Sequence, residues 1–302
     1  MTGANTAELT TLLSGLTHTE GPRWYDGRLW FVDLYTESIR SCRADGSDLR
    51  IEIEVPGSPS GMGWLPDGRL LFVAMRQQKL FVLESDGTAT EYADLSPYAE
   101  DQVNDLAVAA DGTAYVGAFG FDIMTLQPLR TQRLMRVSPD RSVSLASEPL
   151  HFPNGSVITD GGKTLVVAES FANRLSGFDI LDDGSLGRRY DWARFGDVPT
   201  TTDIHELGGL TVVASDGIAA ADAEGAIWVA DFVRGRAVRV VKGGEITDEV
   251  STGDLCCYAV ALGGEDGKTL FLCATPADFD PETRKNNPES KVFSVQVSVP
   301  VA

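Results

Sequence analysis

The 302-residue sequence predicts an all-β fold, a six-bladed β-propeller with about four antiparallel strands in each blade. Three observations predict it: a turn-then-strand motif that returns six times, a second turn signal between most of its copies, and weak helical periodicity throughout. The motif is a turn ending in glycine, followed by an apolar run rich in aromatic and β-branched residues. It opens at Asp26-Gly27 and returns at Asp67-Gly68, Asp111-Gly112, Gly161-Gly162, Glu224-Gly225 and Asp266-Gly267. Successive glycines stand 41, 44, 50, 63 and 42 residues apart. Most of these intervals lie near the period of a propeller blade, and a β-sandwich would not repeat so regularly. The second signal is Asp45-Gly46, Asp86-Gly87, Pro139-Asp140, Asp183-Gly184 and Gly243-Gly244. Gly and Asp supply the positive φ that tight hairpins need, and two hairpins per repeat give four strands.

A ring of blades has to be closed, because an open one leaves strand edges unpaired. Lys291–Val299 alternates like a strand, and Ala7–Leu13 is expected to pair beside it in the last blade. The polar stretch Asp278–Ser290 reads as a surface loop, as does Thr200–Glu206 with His205. Residues 1–302 are expected to form a single propeller domain without a linker.

Composition narrows the function. Hydrophobic content is 43%, ordinary for a globular chain with a large core. The net charge of −19 disfavours nucleic acid and anionic membrane as partners, since both demand basic patches. No apolar run is long enough to span a bilayer, and the first residues lack a signal pattern, so a cytoplasmic location is expected. The four cysteines, Cys42, Cys256, Cys257 and Cys273, form no C-x-x-C pair and are expected to be reduced. Gly57-Ser-Pro-Ser-Gly61 places proline where a hydrolase nucleophile elbow needs serine, and three histidines leave few members for a Ser-His-Asp triad.

Aligning the repeats on their turns places one residue of each at the start of the innermost strand, aimed into the channel mouth. These residues are Glu20, Ser60, Asn104, Asn154 and Asp216, with the sixth near Tyr258. Trp24 and Trp64, each four residues after the first two, fix the register. Taken singly, Asn154-Gly155 and Asp216-Gly217 are ordinary turn pairs. Their shared place in the repeat makes them a set, and Glu20, Asn154 and Asp216 can offer one cation an amide and two carboxylates. Oxygen donors select a hard divalent cation, Ca²⁺ first, with Mg²⁺, Mn²⁺ or Zn²⁺ as alternatives. His18 and His151 lie two and three residues before members of this set and border the same mouth. The apolar segment Gly117–Leu129, with Phe119 and Phe121, is expected to wall a pocket there.

The segments Glu20-Gly-Pro-Arg-Trp24, Pro59-Ser60-Gly61, Asn104-Asp105, Phe152-Pro-Asn154-Gly155, Lys163–Ser170 and Ser215-Asp216-Gly217 carry a further signal. Together they resemble the senescence marker protein (regucalcin)/gluconolactonase/luciferin-regenerating-enzyme-like family over nearly the whole chain. The resemblance implies a metal held by Glu20, Asn154 and Asp216, Asn104 beside metal and substrate, and hydrolysis of a small lactone or ester. Two departures stand out. Where the family's sugar-lactone hydrolases commonly carry arginine, two places before Asn104, this chain has Gln102, which implies a less polar substrate. Asp216 also lies nine residues before its turn glycine where Asn104 and Asn154 lie eight, an excess that a bulge beside Gly217 is expected to absorb.

In the expected chemistry Asp216 takes a proton from the attacking water, and Asn104 orients substrate or water. Gln102, His18, Phe119, Phe121, His151 and Tyr258 contact the substrate. Two other readings share these residues: a non-catalytic metal-binding interaction propeller, and an isomerase or cyclase that stabilises an enolate. Oligomeric state is left open.

Overall fold

The computed structural model describes residues 8–278 and 280–302. After an N-terminal strand β1 (Thr10–Leu16), the chain lays down four-stranded antiparallel sheets in order around a ring. Blade 1 is β2 (Thr19–Tyr25), β3 (Arg28–Asp33), β4 (Ser38–Cys42) and β5 (Arg50–Glu54). Blade 2 is β6 (Pro59–Trp64), β7 (Leu70–Ala74), β8 (Lys79–Leu83) and β9 (Ala89–Asp94). Blade 3 is β10 (Val103–Val108), β11 (Ala114–Ala118), β12 (Met135–Val137) and β13 (Val143–Leu145). Blade 4 is β14 (Pro153–Thr159), β15 (Thr164–Glu169), β16 (Arg174–Asp179) and β17 (Tyr190–Arg194). Blade 5 is β18 (Ser215–Ile218), β19 (Ile227–Asp231), β20 (Arg236–Val240) and β21 (Ile246–Ser251). Blade 6 takes β22 (Cys256–Gly263), β23 (Thr269–Thr275) and β24 (Ser290–Gln296) from the end of the chain and β1 from its start.

The six glycine turns all join an innermost strand to its second strand, and the five further turn signals all join a third strand to its fourth. Blade 6 needs no such turn, because its fourth strand arrives from the other end of the chain. β1 pairs with β24 through Thr10↔Ser294 and Thr11↔Phe293, leaving no free edge at the junction. Of the expected closing segment, Ala7 lies outside the described residues.

Apolar side chains fill the wedges between blades. Met62 and Phe72 lie between blades 1 and 2, Val103 and Leu106 between blades 2 and 3, and Phe31 and Phe271 between blades 6 and 1. The expected tryptophans take part at the same joints: Trp24 stacks on Phe271, and Trp64 stacks on Tyr25 at 3.9 Å.

Two polar segments differ from the loops expected of them. Within Asp278–Ser290 a short helix (Pro281–Asn286) forms, because Asp280 caps Thr283 N and Pro281 is preset for a first helical turn. Asp203 likewise caps His205 N and starts the helix that follows, Ile204–Leu210. At six and seven residues these helices are too short to show the sustained periodicity that betrays longer ones, which is why the pattern missed them. All four cysteines are free. Among the described residues no helix is long and apolar enough to cross a membrane.

Candidate functional site

The six innermost strands β2, β6, β10, β14, β18 and β22 lean on one another around the ring. In each, pairing slips by one residue just beyond the site position: Glu20↔Val32 gives way to Arg23↔Trp30. The same slip lies between Pro59 and Met62, Val103 and Leu106, Pro153 and Ser156, Ser215 and Ile218, and Cys257 and Ala259. Such bulges re-aim a side chain, and six copies at one level gather Glu20, Ser60, Asn104, Asn154, Asp216 and the Cys257-Tyr258 pair.

Asn154-Gly155 and Asp216-Gly217 are therefore strand residues, not turns. A side chain at Gly155 would put its Cβ 2.5 Å from the Asp216 carbonyl oxygen of the next blade, and one at Gly217 would run into Ala259. Glycine is needed there so that neighbouring backbones can approach. The extra residue after Asp216 is taken up farther along the strand. Ser215↔Asp231, Ile218↔Val229 and Ala219 N to Trp228 O hold the ordinary register, and the excess sits between Ala219 and Asp222, where Ala220 is exposed.

A cavity of about 240 Å³ opens on this ring. Glu20, Ser60, Asn104, Asn154 and Asp216 line it, as do Gln102, His18, Phe119 and Tyr258. A polar chain runs across three blades: Ser60 Oγ donates to Asn104 Oδ1 (3.1 Å), Asn104 Nδ2 to Asn154 Oδ1 (2.8 Å), and Asn154 Nδ2 to Ser170 Oγ (3.2 Å). The Asn154 side chain also favours the charged form of Asp216. Burial raises the Asp216 carboxyl well above the usual carboxylate range, and the charges of Glu20 and Asp105 raise it further. Enclosure pushes Glu20 up to about 7, with Asp105 adding to the shift while the Gly21 amide and Arg23 oppose it. Arg23 itself is engaged below, giving Nη2 to Asp105 Oδ1 at 2.7 Å. Burial also drives His18 down to about 4, so it is neutral at pH 7, between the rings of Tyr35 and Tyr258. Among the described residues no three His, Cys, Asp or Glu side chains form a metal-binding cluster; the two carboxylates stand in a set completed by amides.

Two expected substrate contacts lie outside the cavity lining. Phe121 is fully buried with Leu129, Phe171 and Leu207, edge-on to Phe152. His151 donates its backbone N–H to Glu169 (2.7 Å) and turns Nδ1 toward that carboxylate at 3.5 Å. From the segment Gly117–Leu129, Phe119, Ile123 and Met124 do line the cavity. Sequence reasoning missed Leu34, Met75 and Phe232, which line it too. Their signal was available: with Phe119 they stand seven residues after the turn glycines Gly27, Gly68, Gly112 and Gly225. Phe152, also lining the cavity, holds φ at 56° just before Pro153, an unusual conformation for a bulky residue.

Comparison with known proteins agrees with this architecture. Regucalcin of Xenopus laevis is 25% identical over 294 residues, covering 90% of this chain and 87% of the relative. L-arabinolactonase of Azospirillum brasilense is 26% identical over 263 residues, covering 84% and 81%. The solved structure of the calcium-binding protein regucalcin from Agrobacterium tumefaciens superposes with a TM-score of 0.77 at 19% identity, covering 98% of this chain and 96% of its own. Residues 18–275 match the family described as the SMP-30/Gluconolactonase/LRE-like region, and the chain belongs to that family.

Proposed function

We propose that the protein hydrolyses a lactone with the help of one divalent cation, and that the substrate is less polar than a sugar lactone. The observation that carries this reading is the pair Glu20 and Asp216, two enclosed carboxylates whose ionisation burial opposes, with the Glu20 charge further opposing that of Asp216, beside the amides of Asn104 and Asn154. Like charges brought together out of water favour a counter-ion, and an all-oxygen donor set fits a hard one. Glu20, Asn154 and Asp216 would hold it, with Ca²⁺ the first choice and Mg²⁺, Mn²⁺ or Zn²⁺ behind it. The lactonase and calcium-binding names borne by relatives support the same reading.

When bound, the cation supplies Lewis acidity, polarising an ester carbonyl and lowering the pKa of water. The residues do the rest. Asp216 accepts the proton of the attacking water, whose oxygen adds to the carbonyl carbon. Collapse breaks the bond between acyl carbon and ring oxygen, and that oxygen takes up the proton to give a hydroxy acid. Asn104, held by Ser60 on one side and Asn154 on the other, orients the substrate. The walls decide which lactone enters. Leu34, Met75, Phe119, Phe152 and Phe232 present hydrocarbon where a polyhydroxylated ring would need donors and acceptors, Gln102 brings no charge, and the Arg76 guanidinium that also lines the cavity is paired with Glu37.

The test is acid release from a panel of lactones, with and without chelator. Chelator-sensitive hydrolysis of dihydrocoumarin or a γ-alkyl lactone, faster than that of gluconolactone, is the expected result. Preference for gluconolactone removes the substrate assignment. Turnover unaffected by chelator removes the cation, and no acid release from any lactone removes hydrolysis.

A further inference from the structure

Three carboxylates outside the cavity lining share one place in the repeat. Asp33, Glu169 and Asp231 each end the second strand of a blade, paired with the residue that precedes Glu20, Asn154 or Asp216: Thr19↔Asp33, Pro153↔Glu169 and Ser215↔Asp231. All three are shut off from solvent. In blades 2, 3 and 6 the same place is taken by Ala74, Ala118 and Thr275. At this place buried carboxylates thus occur in the three blades that carry the proposed cation ligands and not in the other three.

Their hydrogen bonds are alike. Asp33 Oδ1 accepts Thr17 N (2.9 Å) and His18 N (3.2 Å), and Oδ2 meets Arg40 Nη2 at 3.1 Å. Glu169 Oε2 accepts His151 N (2.7 Å), while Oε1 accepts Arg174 Nε (2.7 Å) and the Ser176 hydroxyl. Asp231 Oδ1 accepts Ala214 N (3.1 Å), and Oδ2 accepts Arg236 Nε (2.9 Å). In every case the carboxylate fixes a backbone N–H two or three residues ahead of a ligand, and an arginine from the third strand compensates its charge. Ser170, next to Glu169, also accepts from Asn154 itself. A backbone bond from the second strand's exit to the same entry segment is present even where alanine stands, as Met75 N to Ser58 O and Phe119 N to Gln102 O show. Blade closure therefore does not require the carboxylate.

We propose that Asp33, Glu169 and Asp231 are positioning residues for the cation site, each fixing the backbone that aims one ligand: Glu20, Asn154 and Asp216 respectively. This rests on the cation reading above. Loss of such outer partners typically weakens metal binding about 10- to 100-fold. The experiment is calorimetric titration of CaCl₂ into the chelator-stripped full chain and its Asp33→Asn, Glu169→Gln and Asp231→Asn variants, with thermal melts of each. Asp222→Asn is the control. Asp222 is an equally buried carboxylate that accepts Arg239 Nε at 2.7 Å, but near the turn at the far end of blade 5.

The expected result is wild-type binding, Ca²⁺ affinity at least about tenfold weaker in the three variants, and affinity within twofold of wild type for Asp222→Asn whatever its melting temperature. Affinities of the three variants within twofold of wild type overturn the proposal, as does an equal loss in the control. Should Glu169→Gln fail to melt cooperatively, Ser176→Ala takes its place, since it removes one donor to Glu169 and leaves Arg174 paired; about threefold weaker binding is expected, and unchanged affinity counts against the role. A wild-type chain that binds no Ca²⁺ defeats the cation reading and this inference with it. Wild-type binding with unaffected variants defeats this inference alone.

Discussion

Glu20 offers a direct measure of what enclosing a carboxylate at the site costs without a cation. Enclosure moves its pKa from 4.5 to about 7. Below pH 4.5 the carboxyl is protonated in both folded and unfolded chains and contributes no pH dependence. Between pH 4.5 and 7 the unfolded chain releases the proton while the folded one keeps it, so stability falls as pH rises. Above 7 both are ionised and the full penalty remains, on the order of 3 kcal/mol for a shift of that size. Asp216 is displaced in the same direction by burial and by Glu20, so it adds to the trend. The perturbation is Glu20→Gln, which removes one charge and relieves the other. The assay is urea denaturation in excess chelator at pH 5, 6, 7 and 8. Subtracting wild type from variant cancels the many surface groups that titrate in both. The variant is expected to gain on wild type by about 2–3 kcal/mol from pH 5 to pH 8. Saturating Ca²⁺ reverses the order at pH 8, because it stabilises the form in which both carboxylates are charged. A difference that does not change with pH, or a variant less stable than wild type at pH 8 in chelator, refutes this account of the site.

Further outcomes follow from the same geometry. Asp216→Ala and Asn154→Ala should each lower chelator-sensitive lactone hydrolysis at least about a hundredfold while leaving the β-rich circular dichroism spectrum intact; full activity in Asp216→Ala would remove its role. Gly155→Ala drives a Cβ to 2.5 Å from the Asp216 carbonyl oxygen, so blades 4 and 5 must part. A loss of roughly 1–3 kcal/mol in denaturation, with weaker Ca²⁺ binding, is expected. Gln102→Arg adds a guanidinium at the cavity wall and should raise the kcat/KM ratio of gluconolactone to dihydrocoumarin about tenfold, the worth of one charge-assisted hydrogen bond.

The parts legible in the sequence are those the repeat writes six times. Turn glycines such as Gly27 and Gly267 betray the hairpins because only a few residues adopt positive φ easily, and counting back from them reaches Glu20, Asn104, Asn154 and Asp216 in turn. In blade 5 the count is one longer, since eight residues back from Gly225 is Gly217; Asp216 keeps its place at the site because the excess falls between Ala219 and Asp222, on the turn side. What stayed hidden was set by contacts between distant segments. Nothing in the spelling of Gly117–Leu129 separates Phe119, which faces the cavity, from Phe121, which closes a core with Phe171 and Leu207 from later in the chain. Both are phenylalanines two residues apart in a segment without strand pairing, where neither a period of two nor one of 3.6 says which way a side chain points. The buried carboxylates show the opposite case. Asp33, Glu169 and Asp231 recur in register and were open to the same alignment. An acidic residue at a strand end reads first as solvated surface, and only the arginines that cross from the third strand reveal it as buried. Sequence periodicity therefore marks which positions face the axis of a propeller. What those positions can bind is decided by partners that periodicity does not reach.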